Sequence, residues 1–349
     1  MKILRYIILL LAVVVYAGGC SRQLLRELYN AGLVAEEYRY GDLYRLANLP
    51  QFKAASQPCP AGVPARSPRQ PVQLLILGDS FTEPGRIGPQ DFPVERYDYI
   101  HWNENRSVYL DTTKTSVLML QTVERHFREH FREPVDNLRI VYRPTETESA
   151  DESIPPTHWK TVVQDIERWI SPPGTEERFE NLLFSSDFFL WFKELKADLT
   201  YRWFGRVNPA VSVSPDGQHL LYALDTDADT ISSSFRPLPG DELNRLVDSV
   251  NEVAMRYRAL GFDKVVLSII PNKTSIVAPG MGNYNRLIER VQRHPRLTVP
   301  VVDVYSPMKA SREPVYEVSD SHWNCLGRTI WLREAQRQIL FIETGYAAR

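Results

Sequence analysis

The feature of this sequence that most constrains its fold is an apolar run at residues 74–77, which passes directly into Gly78, Asp79 and Ser80. A short continuous apolar run is typical of a strand covered on both faces, as in the parallel sheet of an α/β protein. Functional groups in such sheets gather just beyond the carboxyl ends of the strands. We therefore expect Ser80 at the functional edge of a parallel sheet.

A second segment, near the other end of the chain, places an acid, a base and an aromatic residue close together: Asp320, His322 and Trp323. A serine hydroxyl is a weak nucleophile until a base removes its proton, and a carboxylate commonly orients that base. The two segments therefore predict that Ser80, His322 and Asp320 act as nucleophile, base and orienting acid. Either segment alone also occurs in ordinary turns, so the prediction depends on finding both.

These segments resemble motifs of the SGNH (GDSL-type) hydrolase superfamily, most closely its alginate O-acetyltransferase-like branch. The matching residues are Gly78, Asp79, Ser80, Phe81, Asp320, His322, Trp323 and Gly327. The resemblance implies an α/β fold in which a three-layer α/β/α sandwich surrounds a central, mostly parallel sheet (SGNH/flavodoxin-like), with an inserted lid or subdomain. It also implies the same three roles for Ser80, His322 and Asp320.

The first residues have the pattern of a targeting segment, in which Lys2 and Arg5 precede an apolar stretch and small residues lead to Cys20. This pattern resembles a bacterial lipoprotein signal, in which the cysteine is lipidated. The alternative is an uncleaved anchor, although the stretch is shorter than the ~20 residues that span a bilayer. We expect a signal peptide at 1–19, a tether with a short helix at 20–70, and an extracytoplasmic location in the periplasm or at the cell surface.

Charge and cysteine content limit the possible partners. The 349 residues include 41 Lys and Arg against 43 Asp and Glu, which gives no electrostatic reason to expect nucleic acid binding. Cys59 and Cys325 either pair or remain thiols in an oxidising compartment. No spacing of cysteine and histidine predicts a metal site, and no cofactor is expected.

The resemblance implies one SGNH-like α/β domain at 71–349 with an insertion at about 146–240, and hydrophobic periodicity predicts its elements. The predicted helices cover residues 112–130, 188–203, 243–260, 284–291 and 327–342, and the predicted strands cover residues 138–142, 264–270 and 298–304. The apolar stripe of the helix at 188–203 is expected to face the core. Asp216 and Gly217 predict a hairpin turn.

Further candidates for the site come from loops. Residues 86–110 lack clear periodicity and predict either a long loop over the site or an ordinary surface loop. Tyr97 and Trp102 in that segment, together with Trp323, are candidates for substrate contact.

Asn272 and Lys273 follow a predicted strand and so belong at the same edge. Asn272 and the backbone N–H of Ser80 are candidate oxyanion donors, and Lys273 is a candidate to bind a carboxylate or phosphate. The alternative is that Asn272 is an ordinary turn residue and Lys273 a solvated charge.

Two hypotheses of function follow. The first is a membrane-tethered serine O-acyl (acetyl) esterase or O-acetyltransferase that acts on a cell-surface or secreted polysaccharide, or on another O-acylated substrate. Exopolysaccharide-assembly proteins are its candidate protein partners. The polysaccharide is implied by the resemblance alone. The second is a catalytically inactive carbohydrate-binding or assembly lipoprotein of the same fold. Hydrogen-bond reach between Ser80 and His322 distinguishes them.

Overall fold

A computed structural model describes residues 2–20, 27, 31, 38–55, 57–62, 68–141 and 186–340. The chain forms two compact units. The first comprises Met1–Tyr40, Ala47–Ala55 and Thr145–Val207, and the second comprises Gly41–Leu46, Ser56–Pro144 and Asn208–Arg349. Of the described residues in the predicted insertion, 186–207 belong to the first unit and 208–240 to the second.

The described elements are these. The strands are β1 (Gln70–Gly78), β2 (Val94–His101), β3 (Arg106–Tyr109), β4 (Thr115–Val123), β5 (Leu138–Val141), β6 (Val211–Val213), β7 (Leu220–Tyr222), β8 (Lys264–Ile270) and β9 (Val301–Val302). The helices are α1 (Lys2–Cys20), α2 (Asp42–Ala47), α3 (Glu124–His130), α4 (Asp187–Phe204), α5 (Ala223–Thr226), α6 (Gly240–Ala259), α7 (Lys273–Val277), α8 (Leu287–Gln292), α9 (Tyr305–Ala310) and α10 (Cys325–Leu340).

The second unit is organised around a five-stranded sheet in the order β2-β1-β4-β8-β9. Every pair of neighbouring strands is parallel. Counted along the chain, its five strands follow the 2-1-3-4-5 order of a doubly wound sheet, in which the chain turns back at the first strand. The prediction of an α/β fold with a parallel central sheet is confirmed.

Helices cover both faces of this sheet. Successive residues of each strand point to opposite sides, so the apolar strands present apolar side chains to both faces. Leu75 and Leu118 pack on one face with α3, α6 and α8. Leu74 and Val117 pack on the other face with α9 and α10. The fold therefore has three layers with an apolar core on each side of the sheet. The sheet holds in place the turns that follow the carboxyl ends of its strands.

The prediction of one helix over 112–130 is wrong in its first half. Residues 115–123 form β4, and only Glu124–His130 is helical. Val117 and Leu120 are spaced as on a helix, yet residues 117–120 are four consecutive apolar side chains, all fully buried. Such a run is covered on both faces, which suits a central strand of a parallel sheet.

The prediction of a continuous loop over 86–110 is also wrong, because β2 and β3 lie within it. β2 occupies the edge of the central sheet and carries polar side chains such as Glu95 and Asp98, which obscure the strand pattern. β3 pairs in parallel with β5 in a separate two-stranded sheet. The strand predicted at 138–142 therefore exists through Val141 but does not join the central sheet, and Tyr142 lies outside the described residues.

Several other predictions are confirmed. β8 has the predicted bounds, and β6 and β7 form an antiparallel hairpin around Gly217. The predicted helix over 243–260 is α6, and the chain leaves it at Gly261, whose φ of +106° suits a residue without a side chain. The predicted helix at 284–291 and strand at 298–304 are shorter, as α8 and β9. The closing helix is α10, and Ile342 lies outside the described residues.

In the first unit, α4 lies where the sequence predicts a helix, but the face that was expected to be buried is the exposed one. Its aromatic stripe faces solvent, with Phe188 66% and Trp203 76% exposed, whereas Leu190 and Glu194 are buried. The prediction that the stripe faces the core is therefore wrong. The helix predicted in the tether is based on Leu24, Leu25, Leu28 and Leu33, which lie outside the described residues. Among the helices that the structure describes, none combines the length and the apolar character needed to cross a membrane.

Candidate active site

Ser80 lies directly after β1, where the chain leaves the carboxyl edge of the sheet. β1 has β2 on one side and β4 on the other, so connections diverge at this point. Open α/β sheets bind ligands in the crevice that forms at such a switch point. Ser80 is half-buried there and retains access to solvent.

The turn that carries Ser80 is fixed by the buried carboxylate of Asp79. This carboxylate accepts hydrogen bonds from the backbone N–H groups of Phe81 (3.0 Å) and Val123 (2.6 Å). Gln121 on β4 donates to it at 3.0 Å and accepts from the Asp79 N–H at 2.9 Å. The turn that carries Ser80 is therefore hydrogen-bonded to the neighbouring strand.

Only glycine fits at position 78, just before this turn. A Cβ atom there would lie 2.2 Å from Thr82 Oγ1 and 2.7 Å from Gln121 Oε1. Because Thr82 Oγ1 also donates to Gln121 Oε1 at 2.6 Å, neither group can move without breaking the buried network. The glycine of the Gly-Asp-Ser segment thus has a packing reason.

His322 lies within hydrogen-bond reach of Ser80, as the distance between Ser80 Oγ and His322 Nε2 is 2.9 Å. Its other ring nitrogen, Nδ1, lies 2.6 Å from Asp320 Oδ1. The same carboxylate oxygen accepts the backbone N–H of His322 at 2.8 Å. The two-residue spacing of acid and base therefore lets one oxygen fix both the backbone and the ring.

The contacts of Asp320 with His322 favour the ionised form of its carboxyl group. Burial opposes ionisation of Asp320, but hydrogen bonds from His322 and electrostatic attraction to its ring hold the pKa of Asp320 well below its usual range. Phe81 packs against the imidazole ring, with centroids 4.6 Å apart, and meets Trp323 edge-on at 5.0 Å. The ring is thus held by apolar packing as well as by hydrogen bonds.

Trp323 contributes to the core rather than to an open surface, since it is 5% exposed. Tyr97 lies on β2 and stacks on Phe92. Trp102 is 8% exposed, stacks on His130 and donates its indole N–H to the carbonyl of Gln121 at 2.6 Å. The expectation that Tyr97 and Trp102 lie on an irregular substrate loop is wrong.

Asn272 and Lys273 lie at the predicted edge but are both fully buried. The Asn272 amide donates to Ser234 Oγ at 3.0 Å, and its oxygen accepts the backbone N–H of Arg125 at 3.0 Å. Asn272 therefore has no exposed amide to offer an oxyanion, which corrects that expectation. The backbone N–H of Ser80 stays a prediction.

Lys273 extends beneath the segment that carries the acid. Its ammonium donates to the carbonyls of Val318 at 2.9 Å and Asp320 at 3.0 Å. Burial lowers the pKa of Lys273 to about 7, against the attraction of Asp320 and Asp42. Because both contacts are internal and the side chain is covered, Lys273 supports the loop and is not a solvated charge or a ligand for a substrate anion.

Cys59 and Cys325 form a disulfide, which resolves the alternatives that the sequence left open. Cys325 begins α10, and the preceding residue, Asn324, caps that helix by accepting the N–H of Gly327 at 3.0 Å. The covalent link thus holds the segment that follows His322. The side chain of Cys20 lies outside the described residues.

One group of described side chains has the composition of a metal site: Asp42, Asp320 and His322, whose oxygen and ring nitrogen atoms lie within 4.8 Å of one another. Both Asp320 oxygens are already hydrogen-bonded, Oδ1 to His322 and Oδ2 to the N–H of Asp42 at 3.1 Å. The donor set therefore fits a hydrogen-bonded triad.

Two residues of this site were missed by sequence reasoning. Gln121 lies in an apolar run, and a buried amide at the end of a strand would have indicated the functional edge if β4 had been predicted as a strand. Asp42 lies 278 residues before Asp320 and carries no local pattern.

Comparison of the chain with models of protein families, with curated proteins and with solved structures gives no match. The assignment of this site therefore depends on its own geometry.

Proposed function

We propose that this chain is a serine O-acyl esterase or O-acyltransferase whose catalytic residues are Ser80, His322 and Asp320. The observation that carries the proposal is the continuous hydrogen-bonded chain of 2.9 Å and 2.6 Å that joins the three side chains. Its position at the switch point of a parallel sheet adds support.

The reaction follows from these groups. Ser80 Oγ attacks an ester carbonyl while its proton passes to His322 Nε2, and Asp320 stabilises the imidazolium that forms. The tetrahedral oxyanion collapses, the proton moves to the departing alcohol oxygen, and an acyl-serine remains. Water or a sugar hydroxyl then attacks this acyl group, with His322 again removing the proton. The bond between the acyl carbon and Ser80 Oγ breaks, His322 returns the proton to Ser80 Oγ, and the carboxylic acid or the acylated sugar is released. General-base assistance of this kind is worth roughly 10²–10⁴ in rate.

Polysaccharide as the substrate, the SGNH type of sandwich and the extracytoplasmic tether at Cys20 complete the proposal. These three points are supported by the sequence motifs and by the lipoprotein-like N-terminus. Incorporation of a labelled fatty acid that is lost in Cys20→Ser tests the tether separately from the chemistry.

The test is hydrolysis of an activated acetyl ester by the wild type, Ser80→Ala and a control variant, Ser306→Ala. Ser306 is an exposed serine in the first turn of α9 and serves as the matched control. We expect turnover in the wild type and the control, and at least ~10³-fold less in Ser80→Ala. Acetylated oligosaccharide added as a second substrate separates transfer from hydrolysis. Equal silence of all three proteins, with retained binding of oligosaccharide, would instead favour the binding-lipoprotein hypothesis.

A further inference from the structure

The segment that precedes the core contacts the catalytic loop at residues 318–322. Asp42, the first residue of α2, accepts the backbone N–H of Ser321 at 2.7 Å and the Ser321 hydroxyl at 2.5 Å. In the opposite direction, the N–H of Asp42 donates to Asp320 Oδ2 at 3.1 Å. Asp42 therefore contacts both the catalytic acid and the residue between that acid and the base.

These contacts complete the coordination of the acid. Asp320 Oδ1 is occupied by the ring and the backbone of His322, so Oδ2 needs a donor from another part of the chain. A buried carboxylate oxygen without a hydrogen-bond partner would destabilise the folded loop. The N–H of Asp42 is the donor that meets this need.

The approach of the two segments is too close to be accidental packing of a linker. Gly41 has a φ of +95°, and a Cβ atom there would lie 2.5 Å from the carbonyl oxygen of Ser319. That same carbonyl accepts the N–H of Tyr44 at 2.9 Å. Residue 41 must therefore be glycine for the backbone to reach the loop, and the loop is bonded on both sides of the acid.

Asp42 also brings a second carboxylate close to the base, as its Oδ2 lies 3.9 Å from His322 Nδ1. It does not contact Ser80, and its carboxylate bonds to Ser321. Its action therefore passes through the loop that holds Asp320 and His322.

We propose that Asp42 is a positioning residue of the triad: it holds the Asp320–His322 loop in the geometry that directs the imidazole at Ser80. The proposal rests on the proposed function for its kinetic consequence, but its structural consequence does not. Loss of the Asp42 carboxylate removes both of its hydrogen bonds to Ser321 and lets the loop relax, so the imidazole occupies the productive orientation less often. Substrate binding is left intact, and the rate of the chemical step falls.

The test compares Asp42→Ala and Asp42→Asn with a matched control, Asp216→Ala. Asp216, at the turn between β6 and β7, makes the same kind of contacts, accepting a serine hydroxyl (Ser214, 2.5 Å) and a backbone N–H (Gln218, 3.1 Å). Two quantities are measured in the full chain: kcat and KM for the activated acetyl ester, and the NMR resonance of the proton between His322 Nδ1 and Asp320.

We expect Asp42→Ala to lower kcat about tenfold or more with KM within about twofold, because small displacements of reacting groups have large effects on rate. The Nδ1 proton resonance should broaden or move upfield. Asp42→Asn keeps an acceptor oxygen for Ser321 and should recover most of kcat, and Asp216→Ala should match the wild type in both measurements.

An unchanged kcat and an unchanged proton resonance in Asp42→Ala would overturn the proposal, as would an equal loss in Asp216→Ala. If the wild type shows no turnover but the resonance changes only in Asp42→Ala, the esterase proposal fails while the positioning role stands. Should Asp42→Ala not fold, Ser321→Ala removes one of the two donors to Asp42, and an unchanged kcat and resonance in that variant would equally overturn the role.

Discussion

Reduction of the Cys59–Cys325 disulfide is expected to remove a large part of the stability of the unit that contains the sheet. The two cysteines are 266 residues apart in sequence. In the chain-entropy model a 100-residue loop is worth ≈ 4.7 kcal/mol, and each doubling of length adds about 0.6 kcal/mol. The disulfide should therefore stabilise the fold by about 5–6 kcal/mol, compared with the 5–15 kcal/mol by which typical domains are stable.

Urea unfolding followed by far-UV circular dichroism measures this effect. With a slope of roughly 3 kcal/mol/M, a loss of about 5 kcal/mol moves the midpoint down by nearly 2 M. The double variant Cys59→Ser with Cys325→Ser should show the same shift without reductant and no further shift with it. A shift smaller than about 0.5 M would refute the loop-entropy argument and would mean that the unfolded chain is already restricted without the link.

Two further predictions concern buried carboxylates. Burial raises the pKa of Glu124 to about 7, against hydrogen bonds from Ser275 and Asn272. The folded state therefore retains a proton that the unfolded state releases between about pH 4.5 and 7. The stability of the wild type relative to Glu124→Gln should fall by up to about 3 kcal/mol across that window. Urea midpoints of both proteins at pH 5 and 8 measure this fall, and a difference between the proteins that stays constant with pH would contradict the prediction. Asp79→Asn replaces either the oxygen that accepts the Val123 N–H or the oxygen that accepts from Phe81 and Gln121. The substitution should lower the free energy of unfolding by about 2–4 kcal/mol and lower Ser80-dependent turnover. Near wild-type values of stability and turnover would show that the turn holds without the carboxylate.

The parts of the fold that sequence predicted well carry strong local patterns. β8 is an uninterrupted apolar run, and α6 combines a long apolar stripe with a glycine at its end. The meeting of Ser80 and His322 was predicted on other grounds. Ser80 directly follows a buried strand, Asp320 and His322 place an acid beside a base, and both segments resemble motifs of one hydrolase superfamily.

The failures occurred where periodicity is ambiguous or where it does not carry the needed information. Residues 117 and 120 fit a helical spacing, yet they belong to a strand that is buried on both faces. In α4 the spacing of Phe188 and Trp203 correctly indicated one shared face, but spacing cannot tell which face is covered. Asn272 and Lys273 were assigned to the correct edge, whereas the direction of their side chains depends on packing from distant segments.

The same limit explains why the segment before β1 was predicted to be a tether with a short helix, fixed only if Cys59 pairs with Cys325. It has no long apolar pattern, and its proline content suggests a linker. In the structure, however, Asp42 bonds to the loop that carries the triad acid, and Cys59 is linked to the first residue of α10.

Residues next to Cys59 are also fixed to the sheet unit. Arg328 on α10 donates to the carbonyl of Pro60 at 2.8 Å, and the buried Asp91, which pairs with Arg328, accepts the N–H of Gly62 at 2.8 Å. Each of these partners comes from a part of the chain far from residues 41–62, so no local signal could have shown them. A fragment that begins at the first strand would therefore lack Asp42, the disulfide and the contacts of Pro60 and Gly62, and its inactivity would say nothing about Ser80. Tests of the proposed chemistry should use chains that begin before Gly41.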